Sequence, residues 1–143
     1  MAQESTTPDR VELIGALFDA GNRRDLDAAM SIFAPDVVWE SLDGLGVFAG
    51  AAAVRGFLED WLSTYEVLNI EREEVMDLGS GVAFVVGRES GRLLGSGRVE
   101  QRLAWAIASE HGRVVHMIAS LDIDEARAAA ERLAEERCRN SEV

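Results

Sequence analysis

Apolar residues in the first third of the chain recur at intervals of three and four. Ile14, Leu17, Phe18 and Gly21 form an i, i+3, i+4, i+7 series, widened by Val11 and Leu13, which predicts an amphipathic helix. Thr7-Pro8-Asp9 supplies a hydroxyl cap, a proline at the first helical position and an early acid to start it, and Gly21-Asn22 stops it. Asp25 can cap a second, shorter helix carrying Leu26, Ala29, Met30 and Phe33, ended by Pro35 because the residue before a proline is pushed out of the α region. Val37 to Ser41 is rich in strand formers and runs into an irregular glycine-containing loop from Asp43 to Gly50. Val54, Phe57, Leu58, Trp61, Leu62 and Tyr65 restore the helical series. From Glu66 the period changes to two. Four strand-like segments, Val67 to Leu78, Val82 to Glu89, Gly97 to Ser109 and Arg113 to Ile123, are separated by short glycine turns, the signature of an antiparallel meander. Asp124 to about Arg137, rich in Ala, Glu and Arg, favours a final helix.

This order of elements predicts an α+β domain with helices grouped against one face of a sheet. The domain is expected over residues 9–134, after a disordered start at 1–8 and before a tail at 135–143. At 143 residues with 48% hydrophobic and 28% charged residues, the chain has the composition of one soluble domain able to build a core without metal or disulfide staples. The longest apolar runs, Leu103 to Ala108 and Val82 to Val86, are far too short for a membrane-spanning helix. The start lacks a basic segment and an apolar signal region, so the expected location is the cytoplasm. Single Cys138 can make no internal disulfide, and the two histidines have no third ligand at metal spacing. A formal charge of −12 argues against nucleic acid and anionic membranes as partners. No phosphate-binding loop, GxGxxG or GxSxG motif is present, so neither a nucleotide cofactor nor serine-hydrolase chemistry is indicated, and no cofactor is expected.

Strand parity selects the residues that face inward. In the segment from Val82, the bulky set Val82, Phe84 and Val86 is assigned to the core and carries Arg88 with it. In the next segment Gln101, Leu103, Trp105 and Ile107 are assigned inward. In the last one, Val115, Met117, Ala119 and Leu121 are placed inside, with His116 outside and Glu100 as its expected partner. Trp39 and Ser41 share a face that leaves Glu40 on the other. The predicted lining is thus Leu17, Phe33, Trp39, Ser41, Phe57, Trp61, Phe84, Val86, Arg88, Gln101, Leu103, Trp105, Met117 and Ala119, a mostly apolar set with few polar groups, the usual make-up of a small-molecule site. The same residues could equally fill a solid core.

Two groups of residues carry a family resemblance. Asp25-Leu26-Asp27 opens a helix that runs through Phe33-Ala34-Pro35-Asp36-Val37 into Trp39-Glu40; later come Ser96-Gly97-Arg98-Val99-Glu100, His111-Gly112-Arg113-Val114-Val115 and Leu121-Asp122 before an Ala-rich helix. In order and spacing this resembles the SnoaL-like branch of the nuclear transport factor two-like superfamily, over residues 9 to about 134. The resemblance implies a cone: a curved, mostly antiparallel sheet wrapped around the N-terminal helices, a cystatin-like α+β roll with an apolar pocket at one end, often dimerising through the outer sheet face. It does not fix an activity, because the fold hosts isomerases, cyclases, hydrolases and inert modules.

The ketosteroid isomerases of this superfamily use a Tyr and two Asp; the matching positions here are Leu17, Ser41 and Leu103 or Ala104. The Asp that polyketide cyclases and limonene-epoxide hydrolases carry on the last strand matches Ala119, and the hydrolases' second Asp falls near Arg88, which cannot act as a base but could hold an anionic or carbonyl oxygen. Arg88, Glu40 and Asp43 remain as catalytic candidates. The expected function is binding of a hydrophobic small molecule whose oxygen is read by Arg88 and Gln101 and whose rings stack on Trp39, Trp61 or Trp105, with a cyclase- or isomerase-type reaction on a polycyclic or terpenoid-like compound as its enzymatic form. The alternative is a non-catalytic module with a filled core, dimerising through an outer face that mixes Glu100, Arg102, His116 and Ser120 with Ala104, Ala106 and Ile118.

Overall fold

A six-stranded sheet in the order β2-β1-β6-β5-β4-β3 organises the computed structural model, which describes residues 6–95 and 97–141. The elements are α1 (Thr6–Asn22), α2 (Leu26–Met30), β1 (Phe33–Ser41), β2 (Gly46–Ala49), α3 (Ala51–Ser63), β3 (Tyr65–Gly79), β4 (Val82–Leu93), β5 (Arg98–Glu110), β6 (Arg113–Ser120) and α4 (Ile123–Ser141). The expected disordered start falls largely outside the described residues, and the Thr7 cap concerns a side chain that also lies outside them. The final helix continues past Arg137 to Ser141, although Cys138, Asn140 and Ser141 are weaker helix formers than the Ala, Glu and Arg before them. Neighbouring strands are antiparallel throughout the meander, and only β1 and β6 run parallel.

Two boundaries differ from the sequence reading. The second helix stops at Met30, and Phe33 already begins a strand that contains Pro35. A proline can sit there because the β1–β6 register shifts between Phe33 and Val38, so the missing N–H interrupts no regular ladder. The stretch expected to be an irregular loop holds β2, which folds back on β1 by pairing Val38 with Ala49 through Ser41 with Gly46. The Ser41 hydroxyl accepts from the amides of Asp43 (3.1 Å) and Leu45 (3.3 Å) and so closes the turn between them.

Both faces of the central strands β4 to β6 are covered over much of their length. Helices α1 to α3 pack Ile14, Leu17, Phe18, Val54 and Leu58 against Ala83, Val85, Trp105, Ile107 and Met117. On the opposite face α4 lays Ala126, Ala129 and Ala130 over Val82, Phe84, Val86, Ala104, Ala106, Ala108 and Ile118. Small residues on helix and strand let the two backbones lie close. This second cover corrects the expected outer interface: its apolar centre, Ala104, Ala106 and Ile118, is consumed within the chain. No helix among the described residues is long and apolar enough to cross a membrane.

Covering both faces also corrects the parity of β4. Phe84 and Val86 lie in the cluster beneath α4, and Ala83 and Val85 face the N-terminal helices. Bulk was a false guide because large residues were needed on both sides. The inner face takes Gly87 for a specific reason: a Cβ there would come within 2.9 Å of Trp105, whose ring lies over that position. In β6 a register shift opposite Ala108/Ser109 reverses the expected order at the strand's start, sending Val114 into the inner core and Val115 toward α4, while Met117 and Ala119 remain inside.

Candidate functional site

A cavity of about 350 Å³ remains between α1 to α3 and the concave sheet face. That is the size range of small-molecule sites. Its walls are built from residues that the secondary structure directs inward one by one. Alternation along β1 brings in Trp39 and Ser41, along β5 Gln101, Leu103 and Trp105, and along β6 Met117 and Ala119. Helix α1 contributes Leu17 and Phe18, and α3 contributes Phe57, Leu58, Trp61 and Leu62. The rings hold one another: Trp105 meets Phe18 edge-on at 4.8 Å, and Trp39 packs at 5.5 Å from Phe57, which stacks on Phe48 at 4.4 Å. Of the expected lining, Leu17, Phe33, Trp39, Ser41, Phe57, Trp61, Gln101, Leu103, Trp105, Met117 and Ala119 surround the cavity, whereas Phe84, Val86 and Arg88 do not.

Arg88 is the main correction. It shares the α4 side of β4 and reaches Glu73 (3.3 Å) and Glu100 (3.7 Å) at the surface, where Arg102 also binds Glu73 at 2.9 Å. The Arg102 hydrogen bond is the largest cause holding the Glu73 carboxyl below its ordinary range. Arg88 therefore reads nothing in the cavity. Glu40 too lies off the cavity, 3.4 Å from His116 on the adjacent β6, which makes it, and not Glu100, the partner of that histidine. Asp43 does line the cavity, but its carboxylate accepts from the Leu121 amide at 3.0 Å and ties the β1–β2 turn to the end of β6.

The polar end of the cavity is made by a residue the sequence reading left out, Glu89. It directly opposes Gln101 across the β4–β5 ladder, so both side chains emerge on the same face. Only 2% of Glu89 is exposed. One of its carboxylate oxygens accepts from the Tyr65 hydroxyl at 2.6 Å and the other from Gln101 Nε2 at 3.2 Å. Tyr65, buried behind it with Leu62 and Leu68, has its hydroxyl pushed well above the ordinary tyrosine value, first by burial and then by its bond to Glu89, with Trp61 pulling weakly the other way. Tyr65 thus stays a donor and fixes the carboxylate from behind, while Gln101 fixes it from the side.

The inward placement of Gln101 already contained a signal for Glu89. Partners in a ladder share a face, and counting outward from the glycine turn pairs Gln101 with Glu89 and Leu103 with Gly87. Among the described residues, no group of His, Cys, Asp and Glu could hold a metal ion.

The SnoaL-like domain family matches residues 14–118, and the chain belongs to that family. Solved structures agree on the fold. TerC, co-crystallised with polyporic acid, superposes with a TM-score of 0.72 at 19% identity, covering 86% of this chain and 98% of its own. A protein of Catenulispora acidiphila with a ketosteroid isomerase-like fold, in complex with trimethylamine, gives 0.69 at 14% identity over 76% of this chain and 83% of its own. An LEH-like epoxide hydrolase of M. tuberculosis gives 0.70 at 14% identity over 87% of this chain and 91% of its own. Comparison with curated proteins gives no match.

Proposed function

We propose that this SnoaL-like protein binds a hydrophobic, ring-bearing small molecule in the cavity, with the Glu89–Gln101 pair as its polar contact. The observation that carries the reading is a cavity of about 350 Å³ walled by aromatic and aliphatic side chains and bearing on its wall a buried, hydrogen-bonded carboxylate. Apolar walls with a few fixed polar groups are what orient a ligand while burying most of its surface. Polyporic acid with TerC and trimethylamine with the Catenulispora protein support the use of this fold for holding small molecules. Leu17, Ser41 and Ala119 offer no titratable group at the positions where related enzymes carry theirs. If a cyclase- or isomerase-type proton transfer takes place here, Glu89 is the residue that would perform it. The reading draws every ligand contact from one chain and does not depend on the expected homodimer.

The test is titration with the neutral fluorophore 1-aminoanthracene, on the wild type and on Ala119→Phe, which projects a ring into the cavity. The expected result is saturable one-site binding by the wild type and its loss in the variant, with both proteins showing cooperative thermal unfolding. Binding unaffected by Ala119→Phe would move the ligand elsewhere, and no binding by the wild type would count against the reading.

A further inference from the structure

The charged groups on the cavity wall are all of one sign. Asp25, Asp43 and Glu89 line it, and no Arg or His is among the described lining residues. Lysine is absent from the chain altogether. Asp25 and Asp43 are partly occupied, the first capping α2 through the Ala28 amide and the second holding the Leu121 amide. Glu89 is different. Its partners among the described residues are two neutral donors, Tyr65 and Gln101, one to each oxygen, so both oxygens act as acceptors. A buried carboxylate with hydrogen bonds but no opposite charge leaves much of its lost hydration uncompensated.

We propose that the cavity is built for a hydrophobic cation, an amine on a ring system, whose ammonium group pairs with Glu89 while its rings lie against the aromatic walls. The inference rests on the cavity being a ligand site and adds the charge of the ligand. Trp39, Trp61, Trp105 and Phe57 present rings along the wall, and the faces of such rings attract cations. The ammonium supplies the charge that Glu89 lacks, in a place with little water to compete for it. An anionic ligand would meet three carboxylates and no cation. The formal charge of −12 acts in the same direction at long range, raising the local concentration of cations around the cone. This reverses the ligand charge expected when Arg88 was assigned to the pocket.

The experiment compares three ligands of one shape by calorimetric titration near pH 7: 1-naphthylmethylamine as the cation, 1-naphthylmethanol as the neutral form and 1-naphthoate as the anion. The amine should bind at least about tenfold more tightly than the alcohol, and the carboxylate more weakly than either. In Glu89→Gln, which keeps the size of the side chain, the preference for the amine over the alcohol should fall to within about twofold. Equal affinity for amine and alcohol in the wild type, or a preference for naphthoate, would overturn the cation assignment and leave the hydrophobic site standing. Failure of all three to bind would overturn both readings. The wild-type comparison decides the matter even if the variant does not fold.

Discussion

The alkaline limb of stability isolates the Tyr65–Glu89 contact. Tyr65 is the only tyrosine and all 14 basic residues are arginine, so between pH 9 and 11 the side chains with ordinary values in or near the window are Tyr65 and the exposed Cys138. Cys138 is common to the wild type and Tyr65→Phe, so comparing the two isolates the tyrosine. Tyr65 contributes a difference between folded and unfolded chains, because its value rises from 10.0 in the unfolded chain when burial and the Glu89 carboxylate disfavour the phenolate. Above pH 10 the unfolded state then holds fewer protons than the native state, and stability falls as pH rises. The stabilisation is complete below that value and is lost toward the raised native one. At pH 11 the unfolded tyrosine is about nine-tenths ionised, and linkage gives a loss of about 1.4 kcal/mol if the native hydroxyl is still protonated. Urea unfolding at pH 8, 9, 10 and 11 measures the loss, and tyrosinate absorbance follows the single hydroxyl in the native state directly. Tyr65→Phe should be less stable at pH 8 by about 1.5–3 kcal/mol, the range for a hydrogen bond to a charged group, and should lose the alkaline decline. A native tyrosinate transition centred near pH 10, or an identical decline in the Phe variant, would refute the reasoning.

Three further perturbations separate the two faces of the sheet. Phe84→Ala, beneath α4, should cost about 3–5 kcal/mol in urea unfolding yet leave the affinity for 1-aminoanthracene unchanged, because the lost ring belongs to the other core. Gly87→Ala drives a methyl against Trp105 and the Glu71 carbonyl; destabilisation of about 1–3 kcal/mol should come with an altered near-ultraviolet circular dichroism signal and weaker probe binding. Arg88→Met should leave the affinity for every cavity ligand within about twofold, since this exposed side chain reaches only surface carboxylates; a selective loss would return it to the pocket.

Helix periodicity, glycine turns and the switch to period two located α1, α3, the meander and α4, because each of those signals is local. Trp39 and Ser41, Gln101 to Trp105, and Met117 with Ala119 were also legible, since on β1, β5 and the end of β6 the choice of face followed from the alternation itself. Three features were hidden for nonlocal reasons. Pro35 inside β1 is tolerated only because of a register shift against a strand nearly eighty positions on, a feature no local window contains. Strand β2 depends on the Ser41 hydroxyl closing a turn in a stretch of weak strand propensity. The orientation of β4 depends on a helix from the far end of the chain, which gives its second face a core of its own.

That last point bears on how function is read from buried sheets in general. A strand covered on both faces offers no polar side to mark the outside, so its acids must be judged by what they pair with. Arg88 and Glu89 are adjacent, and one position decides between a surface ion pair and the buried wall of a cavity. Size complementarity with the neighbouring strand resolves it: Gly87 accommodates Trp105, which obliges residues 85, 87 and 89 to share the Trp105 face. Once Glu89 is inside, burial explains the rest of the local sequence. The acid needs donors that bring no competing positive charge, and Tyr65 and Gln101 supply one to each oxygen. The missing charge is then left for whatever enters the cavity to provide.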